Sequence, residues 1–203
     1  MDKKKIEILL SKTKEIKKPK IFLEQYTISS SLAAEILNFA YLHRDLKNKI
    51  VVDLGCGTGR LAIGSFFYKT KISIGIDIDK EVIKIAKENA KKLKVKVYFL
   101  LADIQKINLK NVDTIIQNPP FGTRKKHYDL IFLKKAFEMA KVVYSLHSYS
   151  EKSIDFLENF AKRFNFKLDK AIKLKFKIKH SYKFHKKPVK SFDVMLLRFQ
   201  KFF

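Results

Sequence analysis

Short apolar runs alternate with amphipathic segments through the middle of the chain. Continuous apolar runs predict buried strands at 49–54, 71–77, 96–103, 112–118 and 141–147. Apolar positions at helical spacing predict helices at 60–68, 80–93, 128–140 and 151–163. Strand–helix alternation of this kind is typical of a parallel sheet covered by helices on both faces. We therefore predict an α/β fold built on a mostly parallel sheet.

The N-terminal part of the chain lacks this alternation. Residues 3–16 have apolar positions at helical spacing, and a second helix is expected to open at the serines of 29–31, which are good N-caps. Residues 1–45 are therefore expected to form a helical cap. Because no repeat or Gly/Ser-rich linker interrupts the sequence, we expect a single domain over 1–203.

The C-terminal part, 166–203, contains two long apolar segments with no helix between them. This pattern predicts an antiparallel hairpin added to the parallel sheet. In its first segment Ile172, Leu174, Phe176 and Ile178 alternate with lysines. One face of that strand is therefore expected to be exposed to water.

The charge of the chain restricts its partners. Its 44 Lys and Arg residues outnumber 20 Asp and Glu, which gives a net charge of +24. Such a charge is typical of proteins that bind a polyanion, either nucleic acid or an anionic membrane surface, although a generally lysine-rich proteome would also produce it. Cys56 is the single cysteine, which excludes an internal disulfide framework and fits a cytoplasmic protein. No apolar run approaches the roughly 20 residues that a membrane helix needs.

A glycine-rich loop follows the first predicted strand, in the sequence VVDLGCGTGRLAIG. Gly55, Gly57 and Gly59 allow a sharp turn and the close approach of a ligand. Asp77 ends the next strand, where a carboxylate can accept both hydroxyls of a ribose, and Asp103 ends the one after, where it can accept an adenine amino hydrogen. Because the carboxyl ends of parallel strands share one edge, these groups predict a nucleoside pocket.

The spacing fits a dinucleotide as well, but the G-x-G-x-x-G fingerprint is absent. Asp53 stands two residues before the first glycine, a poor neighbour for a pyrophosphate and a good one for a sulfonium or ammonium group. The loop resembles the D-x-G-x-G-x-G loop of Rossmann-like class I methyltransferases, which use S-adenosyl-L-methionine. That resemblance implies the same cofactor here, and it also implies a seven-stranded sheet that ends in an antiparallel hairpin.

The sequence NPPF at 118–121 follows the fourth predicted strand. The amino nitrogen of adenine is not basic, so a general base contributes little. Two acceptors, Asn118 Oδ1 and the Pro119 carbonyl, can instead hold its hydrogens, while Pro120 stiffens the corner and Phe121 stacks on a flipped base. The motif resembles the [DNS]-P-P-[FYW] signature of amino-methyltransferases. Enzymes that methylate a glutamine amide share it, usually with Tyr in the fourth position.

A narrower resemblance covers roughly residues 5–200. The segments LEQYTISSSLAAEIL (23–37), NPPFGT (118–123), YSLH (144–147) and FHKKPVKSFDVMLLRF (184–199) resemble the archaeal and eukaryotic family that makes N6-methyladenosine in small-subunit ribosomal RNA. This resemblance implies a catalytic motif at Asn118, Pro119, Pro120 and Phe121. With the loop and strand-end residues, it gives these candidate cofactor-binding residues: Gln25, Thr27, Asp53, Gly55, Gly57, Thr58, Gly59, Asp77, Ile78, Asp103, Ile104 and Asn118. The family usually has Thr where this chain has Ile28.

The resemblance also implies partners. Eukaryotic members work with a small zinc-binding activator protein that pairs with the sheet-edge strand, here 96–103, where Val97, Tyr98, Phe99 and Leu100 would form an exposed edge. A thermophilic member could instead be stable alone. Basic residues mixed with aromatics suit single-stranded or looped RNA. The candidate RNA-binding residues are Arg124, Lys125, Lys126, His127, Lys183, Phe184, His185, Lys186 and Lys187. No histidine has metal-ligand spacing with a cysteine, and no metal is assigned.

Three functions remain open at the level of sequence. The leading interpretation is an adenine-N6 methyltransferase that acts on ribosomal RNA. A protein-glutamine N5-methyltransferase is the alternative enzyme, and an RNA-binding module without catalytic activity on the same scaffold is the alternative from another class. The intact NPPF motif argues against the last of these.

Overall fold

The computed structural model describes residues 2–121, 127–179 and 189–202. The helices are α1 (Lys3–Ser11), α2 (Ser30–Leu42), α3 (Arg60–Phe66), α4 (Lys80–Lys92), α5 (Tyr128–Met139) and α6 (Glu151–Lys162). The strands are β1 (Ile50–Leu54), β2 (Ile72–Asp77), β3 (Tyr98–Leu101), β4 (Val112–Gln117), β5 (Ala140–Ser148), β6 (Phe166–Lys179) and β7 (Val189–Lys201). Short 3-10 turns lie at Ile21–Leu23 and Ile104–Lys106.

The strands form one seven-stranded sheet in the order β3-β2-β1-β4-β5-β7-β6. Strands β1 to β5 pair in parallel, whereas β7 lies antiparallel between β5 and β6. Chain order reverses between β1 and β4, which places a crevice at their carboxyl ends. The predicted mostly parallel sheet with a C-terminal hairpin is confirmed.

Helices cover the sheet on both faces. Residues of α1, α2, α3 and α4 pack with Val51, Ile116 and Leu146 in one apolar cluster. Residues of α5 and α6 pack with Val52, Ile115 and Val143 in a second cluster on the opposite face. Neighbouring residues such as Val51 and Val52 serve opposite faces because side chains alternate along a strand. This two-sided burial explains why the central strands read as continuous apolar runs.

Most elements lie within one or two residues of their predicted bounds, and α1 and β3 are shortened most. Helix α1 ends at Ser11, because the hydroxyls of Ser11 and Thr13 donate to the carbonyls of Ile8 and Leu10 at 2.8 and 2.6 Å. Strand β3 covers only Tyr98–Leu101, since its single partner β2 ends at Asp77, opposite Leu101.

Strand β3 lies at one edge of the sheet, as predicted. Tyr98, Leu100 and Leu101 are exposed there, and Val97 is half-buried. The prediction that Phe99 is exposed was wrong. Its ring turns inward, where the space beside Gly59 and Gly75 leaves room for it.

The hairpin changes faces along its length. A bulge between Leu168 and Lys170 shifts the register of β6 against β7. Phe166, before the bulge, packs in the cluster beside α6, whereas Phe176, after it, packs on the opposite face. The extra residue reverses the inward side of the strand. Ile172, Leu174 and Phe176 face inward as predicted, and the intervening Lys173 and Lys175 are exposed.

A buried polar cluster ties this hairpin to the parallel sheet. Asp45 Oδ2 accepts hydrogen bonds from the Tyr144 hydroxyl at 2.5 Å and from Arg198 Nε at 2.9 Å. Arg198 also donates to Asp169 Oδ2 at 2.6 Å. Because each buried charge has an opposite charge and hydrogen bonds, the cluster is satisfied. It joins β5, β7 and β6 to the loop that precedes β1. In the described part of the chain, none of the helices is both long enough and apolar enough to span a membrane.

Candidate active site

A cleft of about 1200 Å³, part of it open to solvent, lies at the carboxyl edge of the sheet. The cap, the β1–α3 loop and the segments after β2, β3 and β4 all line it. Of the predicted cofactor-binding residues, the following line this cleft: Gln25, Thr27, Asp53, Gly55, Gly57, Thr58, Asp77, Ile78, Asp103, Ile104 and Asn118. The fold therefore brings together side chains that are up to 93 positions apart, as for Gln25 and Asn118.

The glycine loop turns sharply from β1 into α3. Gly57 has a φ of 51°, a conformation that costs little only without a Cβ, and a Cβ there would point into open space. Its amide donates to Asp77 Oδ2 at 2.9 Å, while the amides of Gly55 and Cys56 donate to the carbonyl of Ile76 at 2.8 and 2.9 Å. Three successive amides thus fix the loop to the end of β2.

Gly59 is the remaining predicted cofactor-binding residue, and it does not line the cleft. It caps α3 with a φ of 83°, and a Cβ on it would stand 2.9 Å from the ring of Phe99 and 3.0 Å from Ala86. Its role in this structure is close packing of the helix against its neighbours. A cofactor contact for Gly59 stays a prediction.

Asp53 places a carboxyl group on the floor of the cleft. It is 2% exposed, and its Oδ2 accepts a hydrogen bond of 3.0 Å from the amide of Ala62. Burial raises the pKa of Asp53 to about 8, which the hydrogen bond from Ala62 only partly opposes and the charge of Asp77 reinforces. A cation bound beside this group would favour its ionised form. The position therefore suits a positively charged ligand.

Asp77 ends β2 with both carboxylate oxygens oriented by the backbone. Oδ2 accepts from Gly57 and Oδ1 accepts from the amide of Asp79, at 2.9 and 3.0 Å. Burial raises the pKa of Asp77, and these two hydrogen bonds partly offset the rise. Each oxygen can accept a second hydrogen bond, as a ribose diol requires. Asp103 follows the end of β3 and caps the next 3-10 turn, because its Oδ1 accepts a hydrogen bond of 3.0 Å from the amide of Gln105.

The cap is attached to the cleft through Gln25. Its Nε2 donates to Asp79 Oδ2 at 2.8 Å, and its Oε1 accepts from the amide of Lys20 at 2.8 Å. Lys20 Nζ completes the cluster with a 2.9 Å contact to Asp79 Oδ1. Burial by itself would raise the pKa of Asp79, but the hydrogen bonds from Lys20 and Gln25 hold it below its usual value. Gln25 lines the cleft, yet both ends of its amide bind protein groups, so its geometry indicates positioning of the cap.

Arg60 is a cleft-lining residue that the motif analysis did not select. It is 3% exposed, donates to Thr13 Oγ1 through Nε and Nη2 at 3.1 and 2.9 Å, and donates to the carbonyl of Ile28. A cation in the first turn of a helix opposes the helix dipole. That unfavourable position, visible in the sequence, could have marked Arg60 as a residue with a specific role, which is to hold the cap over the cleft.

The NPPF corner closes the cleft beside β4. Asn118 and Pro120 line it, while Pro119 is buried. Asn118 Oδ1 is buried and receives no hydrogen bond from any described residue. Because an unmet buried acceptor costs about 1–3 kcal/mol, this oxygen is suited to a donor supplied by a ligand.

Phe121 lies outside the cleft lining. Its ring packs edge-to-face on Phe176 and Phe192 of the hairpin, with centroids 5.5 and 5.6 Å apart. Those two rings stack on each other at 5.3 Å. The hairpin thereby supports the NPPF corner, and stacking of Phe121 on a base stays a prediction.

The predicted RNA-binding residues fall largely outside the described part of the chain. Arg124, Lys125, Lys126, Lys183, Phe184, His185, Lys186 and Lys187 all lie there. His127 is exposed and immediately precedes α5. The next residue, Tyr128, lines the cleft, and burial raises the pKa of its hydroxyl, with a contribution from the charge of Asp103. Tyr128 was not among the predicted site residues, although it directly follows the basic run that was assigned to RNA binding.

The side chains that line the cleft can be compared with the groups of S-adenosyl-L-methionine, which has a ribose diol, an adenine ring and a positive charge. Asp77 offers two oriented acceptors, Ile78 and Ile104 offer an apolar wall, and Asp53 offers a buried carboxyl beside the glycine loop. These residues fit that group. Within the described residues, no cluster of His, Cys, Asp or Glu is able to hold a metal ion.

Comparison with known proteins agrees with this geometry. The family model described as a methyltransferase domain matches residues 45–152, more than half of the chain. This chain belongs to the methyltransferase family. The rRNA N(6)-adenosine-methyltransferase METTL5 of Danio rerio is 34% identical over 98% of this chain and 99% of its own length. This full-length match confirms the family resemblance predicted from the sequence.

Two archaeal proteins extend the comparison. The uncharacterized protein MJ0284 of Methanocaldococcus jannaschii is 45% identical, with 98% of this chain and 94% of that protein covered. A candidate RNA methyltransferase from Pyrococcus horikoshii, PH1948, has a crystal structure that superimposes with a TM-score of 0.92 at 37% identity, covering 100% of this chain and 99% of that one. The fold is thus shared with PH1948, and nearly the full length of this chain aligns with both relatives.

Proposed function

We propose that this chain is a cytoplasmic S-adenosyl-L-methionine-dependent methyltransferase that forms N6-methyladenosine in small-subunit ribosomal RNA. The observation that carries the proposal is the buried Oδ1 of Asn118, which has no hydrogen-bond donor among the described residues and lies in the same cleft as Asp53 and Asp77. The name of the METTL5 relative, which aligns over nearly the whole chain, supports ribosomal RNA as the substrate.

S-adenosyl-L-methionine, when bound, supplies an electrophilic methyl group. Asp77 would hold its ribose, Ile78 and Ile104 its adenine, and Asp53 would lie near its positive charge. Thr27 and Thr58, which line the cleft, are the further polar contacts that we assign. The cap of residues 1–45 would exclude water, because Arg60 and Gln25 attach it on two sides of the cleft.

The chain itself prepares the acceptor nitrogen. Asn118 Oδ1 would accept one amino hydrogen of a flipped adenine, and the Pro119 carbonyl the other. With both hydrogens held, the nitrogen lone pair is freed from the ring and aimed into the cleft. Two prolines and the packing of Phe121 on the hairpin keep the corner in place before substrate arrives. Positioning is therefore the main catalytic contribution of the protein.

The alternative substrate, a glutamine side chain, has narrower support. A relative named for protein N5-glutamine methylation aligns with 53% of this chain, against 98% for the METTL5 relative. Phe at the fourth motif position also favours adenine.

The experiment that tests the proposal supplies radiolabelled methyl donor with ribosomal subunits and identifies the acceptor by mass spectrometry. We expect label in small-subunit RNA as N6-methyladenosine. Label in protein alone would favour the glutamine enzyme, and RNA binding without transfer of label would favour the binding module.

We further propose that a small zinc-binding partner pairs with β3. Among the described residues, no strand pairs with the outer side of β3, and Tyr98, Leu100 and Leu101 are 50%, 41% and 52% exposed. An exposed apolar edge strand is a ready template for another chain. Leu101→Lys should prevent co-elution with such a partner, whereas Ile8→Lys, which changes a 50% exposed residue on α1, should not. Equal co-elution of both variants would contradict this partner surface.

A further inference from the structure

A chain of polar side chains joins the two ends of the segment that contains the NPPF motif. Gln117 immediately precedes Asn118, and Asp129 lies in the first turn of α5. Between them stand Ser145 and His147, both on the neighbouring strand β5. The YSLH sequence at 144–147 thus supplies two members of this chain.

The contacts within it are continuous. Gln117 Nε2 lies 3.0 Å from Ser145 Oγ, Ser145 Oγ lies 2.8 Å from His147 Nε2, and His147 Nδ1 lies 3.3 Å from Asp129 Oδ2. Gln117, Ser145 and His147 are 1%, 0% and 4% exposed, and Asp129 is partly open to solvent. Since water does not reach the first three, their hydrogen bonds depend on one another.

The carboxylate at one end sets the direction of every bond. The negative charge of Asp129, 3.3 Å from Nδ1, favours the proton of His147 on that nitrogen and leaves the lone pair on Nε2. The Ser145 hydroxyl then donates to Nε2, and its oxygen accepts from Gln117 Nε2. The amide of Gln117 is therefore fixed with its nitrogen towards Ser145 and its Oε1 on the other side. That Oε1 is buried without a donor among the described residues, like Oδ1 of the adjacent Asn118.

The order of Asp, His and Ser matches that of a hydrolase triad. Ser145, however, is fully buried and does not line the cleft, so no substrate carbonyl can reach its hydroxyl. These contacts therefore serve orientation.

We propose that Asp129, His147, Ser145 and Gln117 form a directed chain of polar contacts, two hydrogen bonds and one ion-pair contact, that positions the NPPF corner for methyl transfer. The proposal rests on the proposed function for its kinetic consequence. It makes Asp129, His147, Ser145 and Gln117 positioning residues, since none of them has to touch substrate. These contacts connect α5, through Asp129, with Gln117, the residue directly before Asn118, so a change at Asp129 should alter the position of Asn118.

The first test reads the direction of the chain without RNA or methyl donor. Nitrogen-15 NMR of imidazole-labelled protein distinguishes the two neutral tautomers, and His147→Gln assigns the His147 signal. We expect the Nδ1–H tautomer in the wild-type protein. Asp129→Asn, nearly isosteric, replaces the carboxylate by a neutral amide that can donate as well as accept, so it removes the charge that favours Nδ1–H and should raise the fraction of the Nε2–H tautomer.

The second test measures methyl transfer in the same variants. Asp129→Asn and His147→Gln should lower kcat by roughly 10- to 100-fold, the size of effect expected from a misplaced reacting group. Their KM for RNA and their affinity for S-adenosyl-L-methionine should stay within about twofold of wild type. The control is Asp155→Asn, which changes an exposed residue of α6. Its kcat, its KM and its affinity should all be those of wild type.

An Nε2–H tautomer in the wild-type protein would overturn the proposal, and so would an unchanged kcat in Asp129→Asn. If wild type transferred no methyl group to RNA, the proposed function would fall, while the tautomer would still decide the direction of the chain.

Discussion

The amide of Gly57 and the carboxylate of Asp77 are joined by a hydrogen bond of 2.9 Å across the carboxyl ends of β1 and β2. This contact makes the turn of the glycine loop and the orientation of the Asp77 carboxylate, which we propose binds the ribose, depend on each other. Loss of the carboxylate should therefore affect both the ligand and the loop.

Asp77→Ala should weaken binding of S-adenosyl-L-methionine by about 1–3 kcal/mol, or roughly 5- to 150-fold in Kd. Titration calorimetry measures this directly. Asp155→Ala, on the exposed side of α6, is the matched control and should bind as wild type does. Equal affinity of Asp77→Ala and wild type would place the ribose elsewhere.

Asp53 should make the ligand-free protein less stable as pH rises. The folded protein keeps this proton up to a pKa of about 8, while the unfolded chain releases it near 4. The folded state thus binds more protons between these values, so this group lowers the free energy of unfolding as pH increases from about 4 to 8. Asp53→Asn should remove this contribution and gain at least about 1 kcal/mol over wild type at pH 8.5.

Urea unfolding of both proteins at pH 5 and pH 8.5 measures this difference. Asp53→Asn should also bind S-adenosyl-L-methionine more weakly, because it lacks the negative charge that attracts the positively charged ligand. Identical pH dependence of unfolding in the two proteins would show that Asp53 is ionised in the folded state.

Gln25 should act on the cofactor through the cap. Gln25→Glu would set a carboxylate against Asp79, now 2.8 Å from the Gln25 amide, and should therefore weaken cofactor binding more than Gln25→Ala does. Gln25→Ala should weaken the free energy of cofactor binding by about 1 kcal/mol, because it removes a hydrogen bond to a charged partner. Stopped-flow release of the cofactor should show the effect mainly as faster dissociation. If the Gln25→Glu protein binds the cofactor as tightly as the Gln25→Ala protein or more tightly, the amide of Gln25 does not act through Asp79.

Much of this fold could be predicted because its signals are local. Continuous apolar strands, capping residues and a helix-free terminus fix the sheet and its hairpin. Asp53, Asp77, Asp103 and Asn118 could be grouped from sequence, since they stand at or beside the carboxyl ends of parallel strands and those ends meet at one edge.

What could not be predicted depends on contacts between distant segments. The hydrogen bonds from Gln25 to Asp79 and from Arg60 to Thr13 span 54 and 47 positions and exist only once the cap docks. The packing of Phe121 on Phe176 and Phe192 requires the hairpin to lie beside the NPPF corner. Phe99 faces inward because of the strand register, which a short apolar run leaves open.

RNA binding should weaken steeply with salt because phosphate contacts release counterions. Replacing Lys183, Lys186 and Lys187 by Gln should reduce the slope of log K against log salt by up to about 2–3. Replacing Lys3, Lys4 and Lys5, exposed on α1, changes the charge equally and should leave the slope unchanged. Equal slopes for the two triple variants would exclude the 183–187 cluster from the RNA surface.

The most direct measurement of the central claim is the N6-methyladenosine content of ribosomal RNA treated with wild-type protein or with Asn118→Ala, each first shown by calorimetry to bind S-adenosyl-L-methionine. Wild type should produce the modified base, and Asn118→Ala should lower its rate of formation by at least about 100-fold. Equal N6-methyladenosine from both proteins would contradict the account, because the acceptor at Asn118 would then contribute nothing to methyl transfer.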